Sequence, residues 1–195
     1  MKNWRWLPNV LTVARIVLVP VLVVLLFLGE YFWALIVALI AGISDWLDGA
    51  LARRFDWQSE FGGFLDPVAD KLLMVATYLT LAWLHQLPLW LVLMVVLRDV
   101  VIVLGGLYYH FRIERFKGEP TELSKFNTFC QLLLMWVVLV RLAGVEVPAA
   151  LLTGLVWLVG CLAVATMLQY IVLWSIRTAR IVRARNQENA EPPSS

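Results

Sequence analysis

Four aspartates are the residues of this chain best suited to do chemistry. Asp45 and Asp48 stand three positions apart, and Asp66 and Asp70 stand four apart. On a helix, both spacings bring side chains onto one face. Carboxylates crowded together repel, and either take up protons or bind cations. Hard oxygen ligands suit Mg²⁺ or Mn²⁺. Four carboxylates can hold two such ions side by side, an arrangement that clamps phosphoryl oxygens during displacement. The residues between them fit the same chemistry. Gly49 and Ala52 have almost no side chain and leave room for a flat ring or a ribose. Arg53 can fork onto a phosphate, and Gly62, one helical turn before Asp66, again leaves space. Taken singly, each has an ordinary explanation: small residues ease helix packing, arginines set topology, and an aspartate caps a helix. Their joint occurrence in one ordered pattern sets those explanations aside.

The elements that must position these residues are membrane helices. The chain has 195 residues, of which 62% are hydrophobic and 15% charged, against roughly 45–50% apolar in soluble domains. A net charge of +2 gives no case for nucleic-acid binding. A spanning helix needs about 20 apolar residues, and the apolar runs predict six: Val10–Leu28, Tyr31–Leu51, Pro67–Leu84, Leu87–Tyr109, Phe126–Ala143 and Ala149–Ile176. The breaks fall at Gly29-Glu30, at Arg53–Gly63, at His85-Gln86, at the polar loop His110–Lys125 and at Gly144–Pro148. No small-residue cleavage site follows the first run, so it reads as a retained helix. The fold class is thus all-α, a bundle of six transmembrane helices. Residues 1–181 form the membrane domain, and 182–195 form a disordered tail rich in Arg, Asn, Glu, Pro and Ser. Cys130 and Cys161 both lie in apolar runs, without metal-ligand spacing, and read as buried small hydrophobes.

Basic residues orient the bundle. Lys2, Arg5, Arg53, Arg54, Arg112, Arg115, Lys117, Lys125, Arg177, Arg180, Arg183 and Arg185 fall on one side of the six-span arrangement. The opposite loops hold Glu30, His85 and Glu146, with only Arg141 nearby. The positive-inside rule then puts both termini in the cytoplasm, with the chain in the inner (plasma) membrane. The aspartates lie at the cytoplasmic ends of the second and third helices, which a short link makes antiparallel neighbours. Water-soluble, nucleotide-bearing substrates are found on that side.

The pattern Asp-x-x-Asp-Gly-x-x-Ala-Arg, eight residues, Gly-x-x-x-Asp-x-x-x-Asp resembles the signature of the CDP-alcohol phosphatidyltransferases. Asp45, Asp48, Gly49, Ala52, Arg53, Gly62, Asp66 and Asp70 fill every position of it. Leu7-Pro8-Asn9-Val10-Leu11-Thr12, with Arg15 and Pro20, is similar to the opening of the phosphatidylglycerol and cardiolipin branch. So is Ser124-Lys125-Phe126-Asn127-Thr128, with Gln131, to that branch's segment after the fourth helix. The resemblance implies a six-helix bundle with a polar cavity open to the cytoplasm, commonly a homodimer. It implies two divalent cations, Mg²⁺ or Mn²⁺, among Asp45, Asp48, Asp66 and Asp70, and a CDP-diacylglycerol whose cytidine lies near Gly49 and Ala52. An alcohol then displaces CMP, with Asp70 as general base and Arg53 on a diphosphate oxygen.

Two acceptors compete. Glycerol 3-phosphate would give phosphatidylglycerol phosphate, and this is the leading expectation; phosphatidylglycerol would give cardiolipin. A soluble dianionic acceptor needs convergent cations, for which Arg98, Arg112 and Lys125 are the candidates. A different class, a divalent-cation transporter, would also use intramembrane aspartates, but no acidic residue continues a path from the cluster toward Glu30 or Glu146; only Asp99 lies between.

The remaining polar residues are read individually. Arg98 and Asp99 are sequence neighbours, about 100° apart around a helix, so their angular separation gives no reason for them to pair; they read as buried polar groups satisfied within the bundle or, for Arg98, as lining of the acceptor pocket. Lys71 either snorkels to the interface or offsets the acidic cluster. Trp4, Trp6, Trp83, Trp90 and Trp174 read as interfacial anchors. His85 and His110 read as loop residues on opposite sides.

Overall fold

A computed structural model describes the backbone of residues 7–55, 60–112 and 121–188, and the side chains of residues 12–44, 71–105, 121–173 and 175. Among the described residues there are six helices and no strand: α1 (Leu7–Phe27), α2 (Tyr31–Phe55), α3 (Glu60–Trp83), α4 (Leu89–Arg112), α5 (Glu122–Leu142) and α6 (Ala149–Glu188). Each expected apolar run coincides with one helix. The helices extend further at their polar ends. Most of the stretch expected as a break at Arg53–Gly63 is helical, α2 reaching Phe55 and α3 starting at Glu60. His110 lies in the last turn of α4 and not in a loop. Residues 182–188, expected as an irregular tail, continue α6. Hydropathy marks only the apolar part of a helix. Ala, Arg, Gln and Glu are strong helix formers and carry it onward.

The helices form two groups of three. α1 packs against α2 and α3, and α6 packs against α4 and α5; α5 then meets α2 and α3, and α3 meets α4. Spacing explains which faces are inside. Thr12, Arg15, Val19, Leu22 and Leu26 repeat every three or four residues on α1 and are all buried, one stripe of a helix. The buried residues described on α2 are Ala34, Ala38 and Ala41; small residues let two membrane helices approach closely. The buried stripe of α5 runs Ser124, Asn127, Gln131, Leu134, Val138, polar at one end and apolar at the other. The outward faces are apolar as well, with Val17, Phe32, Leu93, Phe129, Trp157 and Val172 all exposed. Two helical segments, Glu122–Leu142 and Ala149–Leu173, are long and apolar enough to cross a membrane. Cys130 is buried as expected, whereas Cys161 is exposed, because it falls on the outward face of α6.

The turns joining α1 to α2, α3 to α4 and α5 to α6 use one device. After each helix a residue takes a left-handed conformation: Gly29 (φ 76°), His85 (φ 57°) and Gly144 (φ 98°). The next N–H reaches back five residues, Glu30 to the Leu25 carbonyl at 3.0 Å, Gln86 to Leu81 at 2.8 Å and Val145 to Val140 at 3.3 Å. This closes the orphan carbonyls of the helix end. His85 accepts this conformation at some steric cost, which glycine escapes.

One contact fixes how close α4 and α6 come. A Cβ at Gly160 would lie 2.8 Å from Trp90 Cζ3 and 3.0 Å from its Cη2. The Trp90 ring is itself packed on Trp157, ring centroids 5.2 Å apart. Neither ring can withdraw without disturbing the other. Gly160→Ala is expected to lower stability by about 1–3 kcal/mol, the usual range for overpacking a filled site, read as a drop in detergent-solubilised melting temperature. An unchanged melt would mean that Trp90 moves freely.

Candidate active site

Helix α2 runs unbroken through Asp45 and Asp48, and α3 through Asp66 and Asp70. Each pair thus falls within one continuous helix, on two elements consecutive in the chain. Gly49, Ala52 and Arg53 also belong to α2, and Gly62 to α3. The side chains of these eight residues, and of Arg112, lie outside the described ones. No cluster of three or more His, Cys, Asp or Glu that could hold a metal occurs among the described residues. The expected donor set, the aspartate quartet, has the oxygen chemistry that suits a divalent cation.

The helix turns next to the signature are described. One turn before Asp45 and one turn after Asp70, α2, α3 and α5 enclose an apolar cavity of about 330 Å³. Ala41, Gly42, Leu73, Met74, Leu132 and Trp136 are among its lining residues. Deeper in the bundle Tyr78 Oη donates to the Gln131 carbonyl at 2.9 Å, tying α3 to α5. The side-chain amides of Gln131 and Asn127 are fully buried, with no hydrogen-bond partner among the described residues.

The residue after Asp70 leads into a charged network. Lys71 Nζ donates to Asp99 Oδ2 at 2.6 Å. Asp99 Oδ1 accepts from Arg98 Nη1 at 2.5 Å. Arg98 also donates from Nη2 to the Ser124 hydroxyl and from Nε to Thr166 Oγ1, the latter at 3.3 Å. Arg98 and Asp99 therefore do pair, although their angular separation gave no reason for it. Both are buried, at 2% and 9% exposure, and a charge out of water takes the nearest counter-charge its flexible side chain can reach. The network joins α3, α4, α5 and α6. Its α5 member is held in turn: the N-cap Thr121 accepts from the Ser124 N–H at 3.3 Å. Thr121 also donates its backbone N–H to Tyr170 Oη at 3.3 Å and its hydroxyl to Gln169 Oε1 at 3.0 Å, both on α6.

The sequence-predicted residues thus divide. Arg98 is inside the bundle and engaged on three sides. Lys125 is exposed and paired with Glu122 at 2.7 Å, a surface contact worth little. Lys71 is partly exposed and pairs across to Asp99 on α4; the side chains of the acidic cluster lie outside the described residues. Arg15 is fully buried on α1. Trp83 is largely exposed, as an interfacial anchor requires; Trp4 and Trp6 lie outside the described residues. Sequence reasoning gave no role to Ser124 or Thr166. The available signal was an isolated hydroxyl residue in the apolar run of α6, at a helix position sharing the stripe of Leu155, Val159 and Ala163.

Comparison with known proteins adds a family. A family model described as CDP-alcohol phosphatidyltransferase matches residues 5–169. A protein of Drosophila melanogaster called probable cardiolipin synthase (CMP-forming) is 35% identical over 187 residues, covering 88% of this chain and 58% of its own length. The chain thus spans a little over half of that relative. The Streptomyces coelicolor cardiolipin synthase (CMP-forming) is 32% identical, with 91% of this chain and 85% of the relative covered. The Haemophilus influenzae CDP-diacylglycerol–glycerol-3-phosphate 3-phosphatidyltransferase is also 32% identical, covering 85% and 91% respectively.

Proposed function

The chain belongs to the CDP-alcohol phosphatidyltransferase family, and from that premise we propose that it transfers the phosphatidyl group of CDP-diacylglycerol to a glycerol-type alcohol, releasing CMP, in phospholipid synthesis. The observation that carries this is the complete signature distributed over α2 and α3, with helix running through every position of it. The six helices cross the membrane, with the signature and both termini on the cytoplasmic side of the inner membrane, in agreement with the basic residues of the inner loops. The enzyme is a homodimer.

Each residue of the signature then has a task. Asp45, Asp48, Asp66 and Asp70 hold two divalent cations, Mg²⁺ or Mn²⁺, whose charge, when bound, offsets that of the diphosphate and of departing CMP. Gly49, Ala52 and Gly62 leave room for the cytidine. Arg53 forks onto a diphosphate oxygen. The apolar cavity beside Gly42 and Met74 takes part of the lipid. Asp70 accepts the proton of the acceptor hydroxyl as the new O–P bond forms and the P–O bond to CMP breaks. General-base help of this kind is worth about 10²–10⁴-fold, and positioning supplies much of the rest.

Glycerol 3-phosphate is the first reading for the acceptor, with Arg112 and Lys125 as its cations. Arg98 joins them only if it leaves three buried partners. That commitment favours a second reading, phosphatidylglycerol, which carries no free dianion to neutralise. The test is CMP release from CDP-diacylglycerol in Mn²⁺ or Mg²⁺, offered glycerol 3-phosphate, phosphatidylglycerol, serine and inositol phosphate in turn. Release with either glycerol compound supports the reading and selects the acceptor. Release with none of them, alongside metal flux into proteoliposomes, would replace it with transport.

A further inference from the structure

Lys71 directly follows Asp70, which places a cation in the chain at the edge of the acidic quartet. A free ammonium there works against that quartet, because it neutralises carboxylates that a divalent ion needs and repels the ion itself. The structure gives it another partner, Asp99 Oδ2 on α4, at 2.6 Å. Arg98 already neutralises Asp99 through the other carboxylate oxygen, at 2.5 Å. A second cation on the same carboxylate is surplus to local charge balance and needs a separate reason. Asp99 is also unusually well prepared to receive it. An ion pair between two mobile surface side chains is weak, since both must be ordered. Here the acceptor is fixed beforehand by a guanidinium that is itself anchored to Ser124 and Thr166, so only the lysine loses freedom.

We propose that Asp99, held by Arg98, is a positioning residue that docks the Lys71 ammonium on α4 and so keeps the Asp45, Asp48, Asp66 and Asp70 carboxylates open to divalent cations. The inference rests on the metal-binding reading given above. It assigns Asp99 an influence on metal affinity without making it a ligand.

The test is Mn²⁺ binding to the full chain in detergent or nanodiscs, followed by the electron paramagnetic resonance of free Mn²⁺, with no lipid substrate present. Parental protein that binds no Mn²⁺ overturns the metal reading itself. Given parental binding, Asp99→Asn is expected to weaken it about tenfold, the scale of a close unit-charge effect. Adding Lys71→Gln to Asp99→Asn is expected to restore the parental value. Lys71→Gln alone is expected to bind as the parent does; it alters a side chain 40% exposed, keeps the Arg98–Asp99 pair, and carries the test should Asp99→Asn not fold. The proposal is overturned if Asp99→Asn binds normally, if the double variant stays as weak as Asp99→Asn, or if Lys71→Gln alone tightens binding about tenfold, which would mean the lysine already acts on the quartet. A purely structural Asp99 would lower the melting temperature of both variants and gain nothing from Lys71→Gln.

Discussion

Asp70→Asn is expected to abolish CMP release while leaving CDP-diacylglycerol bound. Asparagine has nearly the same shape, so the backbone of α3 and the room made by Gly62 and Gly49 are retained. What it lacks is a basic oxygen. The acceptor hydroxyl then keeps its proton as it approaches phosphorus, and the rate falls by the general-base contribution, about 10²–10⁴-fold. The loss reaches further if the amide also holds a divalent cation less well than the carboxylate did. Equilibrium binding of the CDP-lipid, measured separately, is expected to change little, because Arg53, the small residues and the apolar cavity are intact. Turnover near the parental rate would show that another group takes the proton.

Arg98→Met is expected to lower stability by about 3 kcal/mol, the low end of the 3–5 kcal/mol typical for breaking a buried pair. The low end applies because Lys71 still contacts Asp99. Methionine fills much of the volume, so the effect isolates the guanidinium. Its removal strands the Asp99 carboxylate, 9% exposed, and leaves the Ser124 and Thr166 hydroxyls without their donor. Arg98→Lys keeps the charge but not the planar fork that reaches three partners, and is expected to fall between. Melting in detergent checks the series.

These two residues also mark what a reader of the sequence could and could not see. The signature that holds Asp70 was legible because its positions are local. Two pairs at helical spacing, joined by one short link, need only the rule that residues three or four apart share a face. The six helices were legible for a similar reason, since a long apolar run has few alternatives in a bilayer. Their ends were not. Hydropathy falls at Arg53 and at His110 while the backbone hydrogen bonding continues, so α2, α3, α4 and α6 outrun the apolar segments that announced them. The Arg98 network was hidden more deeply. Its members lie on four helices, Lys71, Asp99, Ser124 and Thr166 being brought together only by packing. Angles around one helix said little about Arg98 and Asp99, because long side chains bend and burial leaves them few partners. Cys161 shows the same limit in reverse: an apolar neighbourhood in the sequence does not tell an inward face from an outward one.

The two thiols differ in access alone, Cys130 enclosed on α5 and Cys161 open on α6. The native chain therefore carries its own labelling handle. A maleimide dye small enough to partition into detergent or lipid attaches at a single place without any engineered cysteine. That place is next to Gly160, where the Trp90 ring presses on α6.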